Sequence, residues 1–198
     1  MPQSRDIAVI VGSLRKDSFN RKTAQALATL SPDHLKLEIV GIGDLQLYDQ
    51  DLDPDSPPAP WVAFRERVRR ADGVLFVTPV YNRSIPGVLK NAIDVGSRPY
   101  GSSAWEKKPG AVVSVTPGGL GAFGANHHLR QACVFLDMPI MAQPEAYLSG
   151  AGDFFAEDGS IKDPSLEKLL TRFMTAFAEW VEMIHRGRAS IASDQHPG

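Results

Sequence analysis

The sequence contains a single cysteine, Cys133, so the chain cannot form an internal disulfide, and this scarcity is typical of a reducing compartment. No apolar run approaches the roughly 18 residues of a membrane-spanning helix. The net charge of -2 and the isoelectric point near 6.2 lack the basic excess of proteins that bind nucleic acid or anionic membranes. The N-terminus leads into an apolar run without a signal-peptide pattern. These absences predict a cytoplasmic protein with no nucleic-acid or membrane partner.

What the sequence does contain is a regular alternation of short runs rich in valine and isoleucine with helical segments. The predicted strands lie at residues 7–11, 35–40, 73–78 and 111–116, with a short fifth strand near 139–141. The predicted helices lie at residues 22–30, 61–71, 86–95 and 125–136, followed by an amphipathic helix from Pro164 to about Ile184. The polar residues 187–198 are expected to form a frayed tail.

This alternation predicts one α/β domain over residues 1–198. A sheet order of 2-1-3-4-5 gives a flavodoxin-like three-layer sandwich, with a five-stranded parallel sheet and helices on both faces. In that topology a ligand binds at the carboxyl ends of strands one, three and four. The loops that follow those three strands are therefore where the chemistry is expected.

The segment 12–20 joins the first strand to the first helix. Such a junction presents unpaired backbone N–H groups and the positive end of a helix dipole, so it suits a phosphate group. The segment lacks the glycines of a Walker A loop or a dinucleotide fingerprint, so side chains must help to hold the phosphate. The candidates are Ser13, Arg15, Ser18 and Asn20. This pattern favours a mononucleotide, with flavin mononucleotide (FMN) as the first candidate; the alternative is that Ser18 or Asn20 only caps the helix.

Two further unusual loops follow the third and fourth strands. The first of them, residues 79–87, offers an aromatic wall in Tyr81 and an amide in Asn82, both of which suit a planar polar ring. The second, residues 116–122, has three glycines in four positions, which permit close backbone approach to a ligand. Taken singly, these segments could be an ordinary turn and a flexible loop. Because the ends of the three strands converge, we expect the three loops to form one site.

Several of these motifs resemble the NADPH-dependent FMN reductase family. They are Gly12-Ser13-Leu14-Arg15 with Ser18 and Asn20, the segment 47–51, the stretch from Pro79 to Asp94, and Gly118-Gly119 through His128-Leu129-Arg130-Gln131. The resemblance covers roughly residues 5–185 and is greatest to bacterial chromate and quinone reductases and azoreductases. One departure is His127, where close relatives have tyrosine.

The resemblance implies bound FMN and two-electron reduction of quinones or similar acceptors, such as chromate, azo compounds or free flavin, with NADPH or NADH as donor. It also implies a homo-oligomer, either a dimer or a homotetramer, with FMN close to a subunit interface. By motif, the phosphate and ribityl chain are held by Ser13, Arg15, Ser18 and Asn20. The isoalloxazine ring is lined by Pro79, Val80, Tyr81, Asn82 and Ser84, with Thr116, Gly118 and Gly119 at its pyrimidine edge.

Because the flavin carries the chemistry, we predict no catalytic side chain and no metal ligand. We expect a ping-pong mechanism in which both substrates use one open face of the ring. The alternatives from other classes are a non-enzymatic electron carrier that resembles a flavodoxin, and a flavin-free regulatory or scaffold protein.

Other conspicuous residues favour structural roles. Cys133 lies among apolar residues of a predicted helix and is expected to be buried. His127 and His128 are adjacent on that helix, so they should point in different directions and not share a metal. The run 65–70 is interpreted as a solvated helix face, with a patch that steers the phosphate of NADPH as the alternative. The loop 49–60, rich in proline and aspartate, is either a surface excursion or an arm packed on a neighbour.

Overall fold

A computed structural model, which describes residues 3–194, places the four long apolar runs side by side in one parallel sheet. The strands are β1 Arg5–Val11, β2 Leu35–Val40, β3 Gly73–Thr78, β4 Gly110–Val115 and β5 Ala146–Leu148. Within the described residues these five strands have the order β2-β1-β3-β4-β5, and every pairing is parallel. The predicted fold class and strand order are therefore confirmed.

Helices cover both faces of this sheet. They are α1 Phe19–Leu30, α2 Ala59–Arg70, α3 Gly87–Gly96, α4 Phe123–Phe135 and α5 Pro164–Asp194. Successive residues of a strand point to opposite faces, so the central strands contribute to two separate cores. In β1, Ile7 and Val9 belong to the core under α1 and α5, whereas Ala8 and Ile10 belong to the core under α2, α3 and α4.

Two predictions about the elements are wrong: the position of the fifth strand and the end of the last helix. The run near 139–141 makes only an isolated bridge, between Ile140 and Gly110, because Pro139 has no N–H with which to extend a ladder. The fifth strand is instead β5, whose three residues are too few to reveal an alternating pattern. Helix α5 continues to Asp194 rather than ending near Ile184, since after Gly187 the sequence again favours a helix. The remaining tail residues, 195–198, lie outside the described part of the chain.

No helix within residues 3–194 combines the length and the apolarity needed to cross a membrane.

Candidate active site

The loop after β1 lies beside the end of β3. The Gly12 N–H donates to the Val77 carbonyl at 2.9 Å, so the two loops leave the sheet as neighbours. In the first loop Ser18 caps α1, because its hydroxyl accepts from the Arg21 N–H at 3.3 Å. This is the capping alternative considered from the sequence, and it leaves the hydroxyl hydrogen of Ser18 available as a donor.

Asn20 has a different environment from Ser18. It lies inside α1 rather than at its cap, its side chain is only 5% exposed, and its Oδ1 atom has no hydrogen-bond partner. Ser13 is also buried, at the opposite end of the loop. Arg15 is exposed and forms no ion pair with any of the described residues. The segment 12–20 thus combines an unpaired amide oxygen with an available cation.

The loop after β3 closes into a two-residue hairpin. Tyr81 and Ser84 exchange two backbone hydrogen bonds of 2.9 Å. Between them, Asn82 and Arg83 have φ angles of 50° and 68°, which together are typical of a type I′ turn. Asparagine tolerates this conformation readily, whereas arginine is strained in it.

The start of α4 fixes the position of that hairpin. A Cβ atom at Gly124 would lie 2.6 Å from the Arg83 carbonyl oxygen, so only glycine allows the helix and the turn to approach this closely. Further along the helix, His128 Nδ1 forms a 2.9 Å hydrogen bond with Ser84 Oγ. The hairpin is therefore attached to α4 at two points.

The loop after β4 is anchored by a chain of polar side chains. Ser114 Oγ donates to the Gly121 carbonyl at 2.7 Å and accepts from Asn126 Nδ2 at 3.2 Å. Arg130 Nε in turn donates to Asn126 Oδ1 at 2.9 Å. Because Ser114 and Asn126 are fully buried, the end of this loop has a fixed position relative to the sheet.

A cleft of about 870 Å³ lies between the second and third loops. Five of the predicted site residues line it: Val80, Asn82, Thr116, Gly118 and Gly119. Five further residues complete the lining without having been predicted: Arg83, Leu120, Ala122, Phe123 and Gly124. In the sequence, Arg83 could be noticed as an arginine inside the hairpin motif, and Leu120 and Phe123 as large apolar residues beside a glycine-rich loop. Their place in the cleft could not be predicted, because it depends on how α4 packs against the hairpin.

The other predicted site residues lie outside the lining of this cleft. Ser13, Arg15 and Ser18 lie in the neighbouring loop after β1, and Asn20 lies in the first turn of α1 that follows it. Pro79 is buried behind the hairpin, and Tyr81 is exposed at its base. Ser84 faces α4 through its hydrogen bond with His128.

The adjacent histidines bind different partners, as predicted. His128 contacts the hairpin, whereas His127 Nε2 lies 2.9 Å from the hydroxyl of Tyr147 on β5. Cys133, on the same helix, is buried as predicted, and burial raises the pKa of its thiol to about 12. This thiol is therefore protonated and unreactive near neutral pH.

The interpretation of residues 65–70 as a solvated face is wrong for Arg65. Its guanidinium is buried, donates to both carboxylate oxygens of Asp53 at 2.6 and 2.9 Å, and donates to the Val95 carbonyl at 2.8 Å. The sequence concealed this role because the carboxylate lies in a separate loop. The pair also ties the loop 49–60 to its own domain, with Tyr48 donating a further hydrogen bond to Asp53.

Comparison with known proteins agrees with this geometry. Residues 5–153 match the family model of NADPH-dependent FMN reductase. The chain is 58% identical over 183 residues to a quinone reductase of Pseudomonas putida (strain KT2440), covering 92% of this chain and 98% of that protein. It is 47% identical over 175 residues to a 2-hydroxy-1,4-benzoquinone reductase of Burkholderia sp., covering 88% and 95% of the two chains.

A solved structure gives the same result at the level of the fold. The flavoenzyme FerB, an NAD(P)H:(acceptor) oxidoreductase from Paracoccus denitrificans, superposes with a TM-score of 0.85 and 41% identity. The superposition covers 90% of this chain and 98% of FerB. The family model spans all five strands of the sheet and all three loops of the site, so the motifs that suggested the resemblance lie within the matched region. The chain therefore belongs to the NADPH-dependent FMN reductase family.

Proposed function

We propose that this protein is an FMN-dependent NAD(P)H oxidoreductase that reduces quinones by two electrons. The observation that carries the proposal is the cleft between the loops after β3 and β4. It lies at the carboxyl edge of the sheet, where the loop after β1 offers the residue types that bind a phosphate. The quinone reductase of P. putida, at 58% identity, supports a quinone as the acceptor.

The residues at this edge fit FMN. The buried, unpaired Oδ1 of Asn20 can accept a hydrogen bond from a ribityl hydroxyl. The exposed Arg15 lies three residues before the Ser18 cap of α1, and the N-terminus of a helix stabilises a phosphate. A Cβ atom at Gly119 would meet no atom within 4 Å, so the wall of the cleft is open to a flat ring. Bound at this edge, FMN would supply the chemistry of hydride transfer from the nicotinamide and two-electron reduction of the quinone.

We assign the remaining lining residues by their chemistry. The Asn82 amide and the backbone of Gly119 are suited to hydrogen bonds with the polar edge of the ring, where donors stabilise negative charge. Val80 and Leu120 provide apolar surface that excludes water from the ring face. We keep the predicted assignment of Ser13 and Ser18 to the phosphate, and of Pro79, Tyr81, Ser84, Thr116 and Gly118 to the surroundings of the ring.

The test is spectroscopic. Purified protein reconstituted with FMN should show a bound-flavin absorbance spectrum that bleaches anaerobically on addition of NADPH or NADH and recovers on addition of 1,4-benzoquinone. Steady-state rates at several quinone concentrations should give parallel double-reciprocal lines, as a ping-pong mechanism requires. Flavin that neither nicotinamide reduces would leave a non-enzymatic electron carrier as the function; failure to bind FMN would leave the flavin-free scaffold.

We further propose that the enzyme works in the cytoplasm as a homodimer or homotetramer with its FMN site near a subunit interface. Two large apolar side chains at the end of α4, Val134 and Phe135, are 79% and 77% exposed, which supports a protein partner on that side. Light scattering of the holoprotein gives the subunit number.

Chromate, azo compounds and free flavin are further acceptors that the family resemblance suggests, and each can be tested on the reduced enzyme.

A further inference from the structure

A half-exposed phenyl ring stands at the cleft. Phe123 is the first residue of α4, its side chain is 53% exposed, and it lines the cleft together with Leu120. Large apolar side chains are usually buried, and an apolar surface inside a concave site is the typical lining for a ligand. The position of this ring therefore requires an explanation beyond the packing of the core.

Two neighbouring rings restrict the Phe123 side chain. His127 lies one helical turn further along α4, and its ring centroid is 4.2 Å from that of Phe123. Tyr147, on β5, contacts the phenyl ring from another element, with centroids 5.2 Å apart and planes inclined by 51°. These separations lie close to or within the range in which aromatic pairs attract each other.

Hydrogen bonds fix those two neighbours in turn. The Tyr147 hydroxyl donates to Glu145 Oε1 at 2.6 Å, and His127 Nε2 lies 2.9 Å from the same hydroxyl. Because a phenol has only one hydrogen to donate, the Tyr147 oxygen accepts from His127, which therefore carries its proton on Nε2. Burial raises the pKa of Tyr147 to about 12, so the phenol remains neutral across the physiological range.

The backbone beneath Tyr147 is equally constrained. Gly121 has a φ angle of 57°, and a Cβ atom there would lie 2.7 Å from Tyr147 Cβ. The loop after β4 thus packs directly on Tyr147, and the chain of contacts from Glu145 to Phe123 is fixed relative to the wall of the cleft.

We propose that Phe123 is a specificity-determining residue that packs against the flat ring of the acceptor, and that His127, Tyr147 and Glu145 are positioning residues that hold the Phe123 ring. The proposal rests on the proposed function and narrows its acceptor class to planar quinonoid rings. A small oxyanion or a compact metal complex offers no flat face to the phenyl ring, so such acceptors gain nothing from Phe123.

The test compares two acceptors on the FMN-loaded enzyme at saturating NADPH. One is 2-methyl-1,4-naphthoquinone, which is planar, and the other is ferricyanide, which has no ring. In Phe123→Ala the ratio of kcat/KM for the quinone to kcat/KM for ferricyanide should fall about 3- to 10-fold, mainly through the KM of the quinone. Phe123→Tyr should restore most of the ratio, because it keeps the ring.

Two more variants test the positioning residues. Tyr147→Phe keeps the aromatic ring but removes the hydrogen bonds to Glu145 and His127. The ratio of kcat/KM for the quinone to that for ferricyanide should therefore fall, but by less than in Phe123→Ala. Tyr100→Ala is the control, because Tyr100 is an aromatic residue that is 83% exposed and lies outside the cleft; the ratio should stay unchanged.

The outcomes are distinct. An unchanged ratio in Phe123→Ala overturns the proposal, as does an equal loss for both acceptors accompanied by weaker FMN binding, which would assign the ring to the cofactor. An unchanged ratio in Tyr147→Phe overturns the positioning role. If neither nicotinamide reduces the wild-type flavin, the proposed function fails instead; binding of the naphthoquinone to oxidised holoprotein, followed by flavin fluorescence, then still tests Phe123 in the same variants.

Discussion

At the scale of single residues, Asn20 and Ser18 differ in whether the protein itself provides a hydrogen-bond partner for the side chain. The great majority of buried polar atoms in folded proteins have a hydrogen-bond partner, and an unpaired one is destabilising by about 1–3 kcal/mol. The Oδ1 atom of Asn20 is buried and has no hydrogen-bond partner, and the same is true of Oγ1 of Thr23, one turn later on the same helix. Ser18, in contrast, already contributes to the protein by capping α1. The proposed FMN contact would account for the unpaired oxygen of Asn20, whereas Ser18 needs no ligand.

We expect Asn20→Ala to raise the dissociation constant of FMN about 10-fold, because one hydrogen bond is lost. The same substitution should leave the apoprotein as stable as before or slightly more stable, since it removes an unpaired oxygen. Quenching of FMN fluorescence during titration of the apoprotein measures the affinity, and urea unfolding measures the stability. Thr29→Ala, at the far end of α1, is the control. An unchanged FMN affinity in Asn20→Ala would refute the contact.

The Asp53–Arg65 pair links pH to stability. The hydrogen bond from Arg65 holds the pKa of the Asp53 carboxyl below its usual value. A carboxyl whose pKa is lower in the folded state than in the unfolded state stabilises the protein fully above the unfolded pKa, about 3.9 for aspartate. That contribution is lost as the pH falls from there through the folded pKa. Glu182 behaves in the same way, because Arg5 lowers its pKa.

We expect Asp53→Asn to lower the free energy of unfolding by about 3 kcal/mol at pH 7, because it leaves the buried Arg65 guanidinium without its counter-charge. The loss should shrink as the pH falls below about 4. Glu38→Gln is the matched control: it breaks the ion pair of Arg67, which lies on the same helix as Arg65, but the Glu38 side chain is 63% exposed, so the change should stay under about 1 kcal/mol. Urea unfolding at several pH values measures both variants, and equal losses would contradict the argument.

Among the elements, α4 has the most direct influence on the site. Its first turn lines the cleft, His128 bonds the hairpin after β3, and Arg130 anchors the loop after β4 through Asn126. The two walls of the cleft are thus held to one rigid helix. A small shift of α4 should change both walls together.

Gly124→Ala tests that dependence. The added Cβ would lie 2.6 Å from the Arg83 carbonyl oxygen, so the helix and the hairpin must separate. We expect a loss of about 1–3 kcal/mol in the free energy of unfolding and a lower rate of quinone reduction. Gly187→Ala is the control, because a Cβ there meets no atom within 4 Å; that variant should be more stable by up to about 1 kcal/mol, with normal activity. Similar behaviour of the two variants would refute the close approach.

The sequence predicted most of the elements but not all of the site. Four strands were predictable because each is a run of six or seven residues rich in valine, isoleucine and leucine, whereas β5 is too short to carry a pattern. The three loops were predictable because topology alone brings strand ends together. The place of Phe123 in the cleft was not predictable, because the exposure of its side chain depends on where α4 begins. Arg65 was misread because burial of a charge depends on a partner, Asp53, that no local pattern reveals.

For the molecule as a whole, the sheet acts as a partition between two cores. Phe173, Phe177 and Val181 of α5 pack on one side of it, and Trp61, Phe64 and Val68 of α2 pack on the other. Helix α4, which begins at the cleft and holds both of its walls, packs on the second core, as does α3. Substitutions in the two cores therefore have no packing partners in common.

It follows that the energetic effects of the two cores should be independent. Val181→Ala and Val68→Ala should each lower the free energy of unfolding by roughly 1.5–3 kcal/mol, and the double variant should lose their sum to within about 0.5 kcal/mol. A larger deviation in urea unfolding would mean that the sheet transmits strain. If additivity holds, α5 can be redesigned for heat resistance without disturbing the packing of α4 in the second core. Evolution and engineering could then adjust durability through α5 separately from the helix that holds both walls of the cleft.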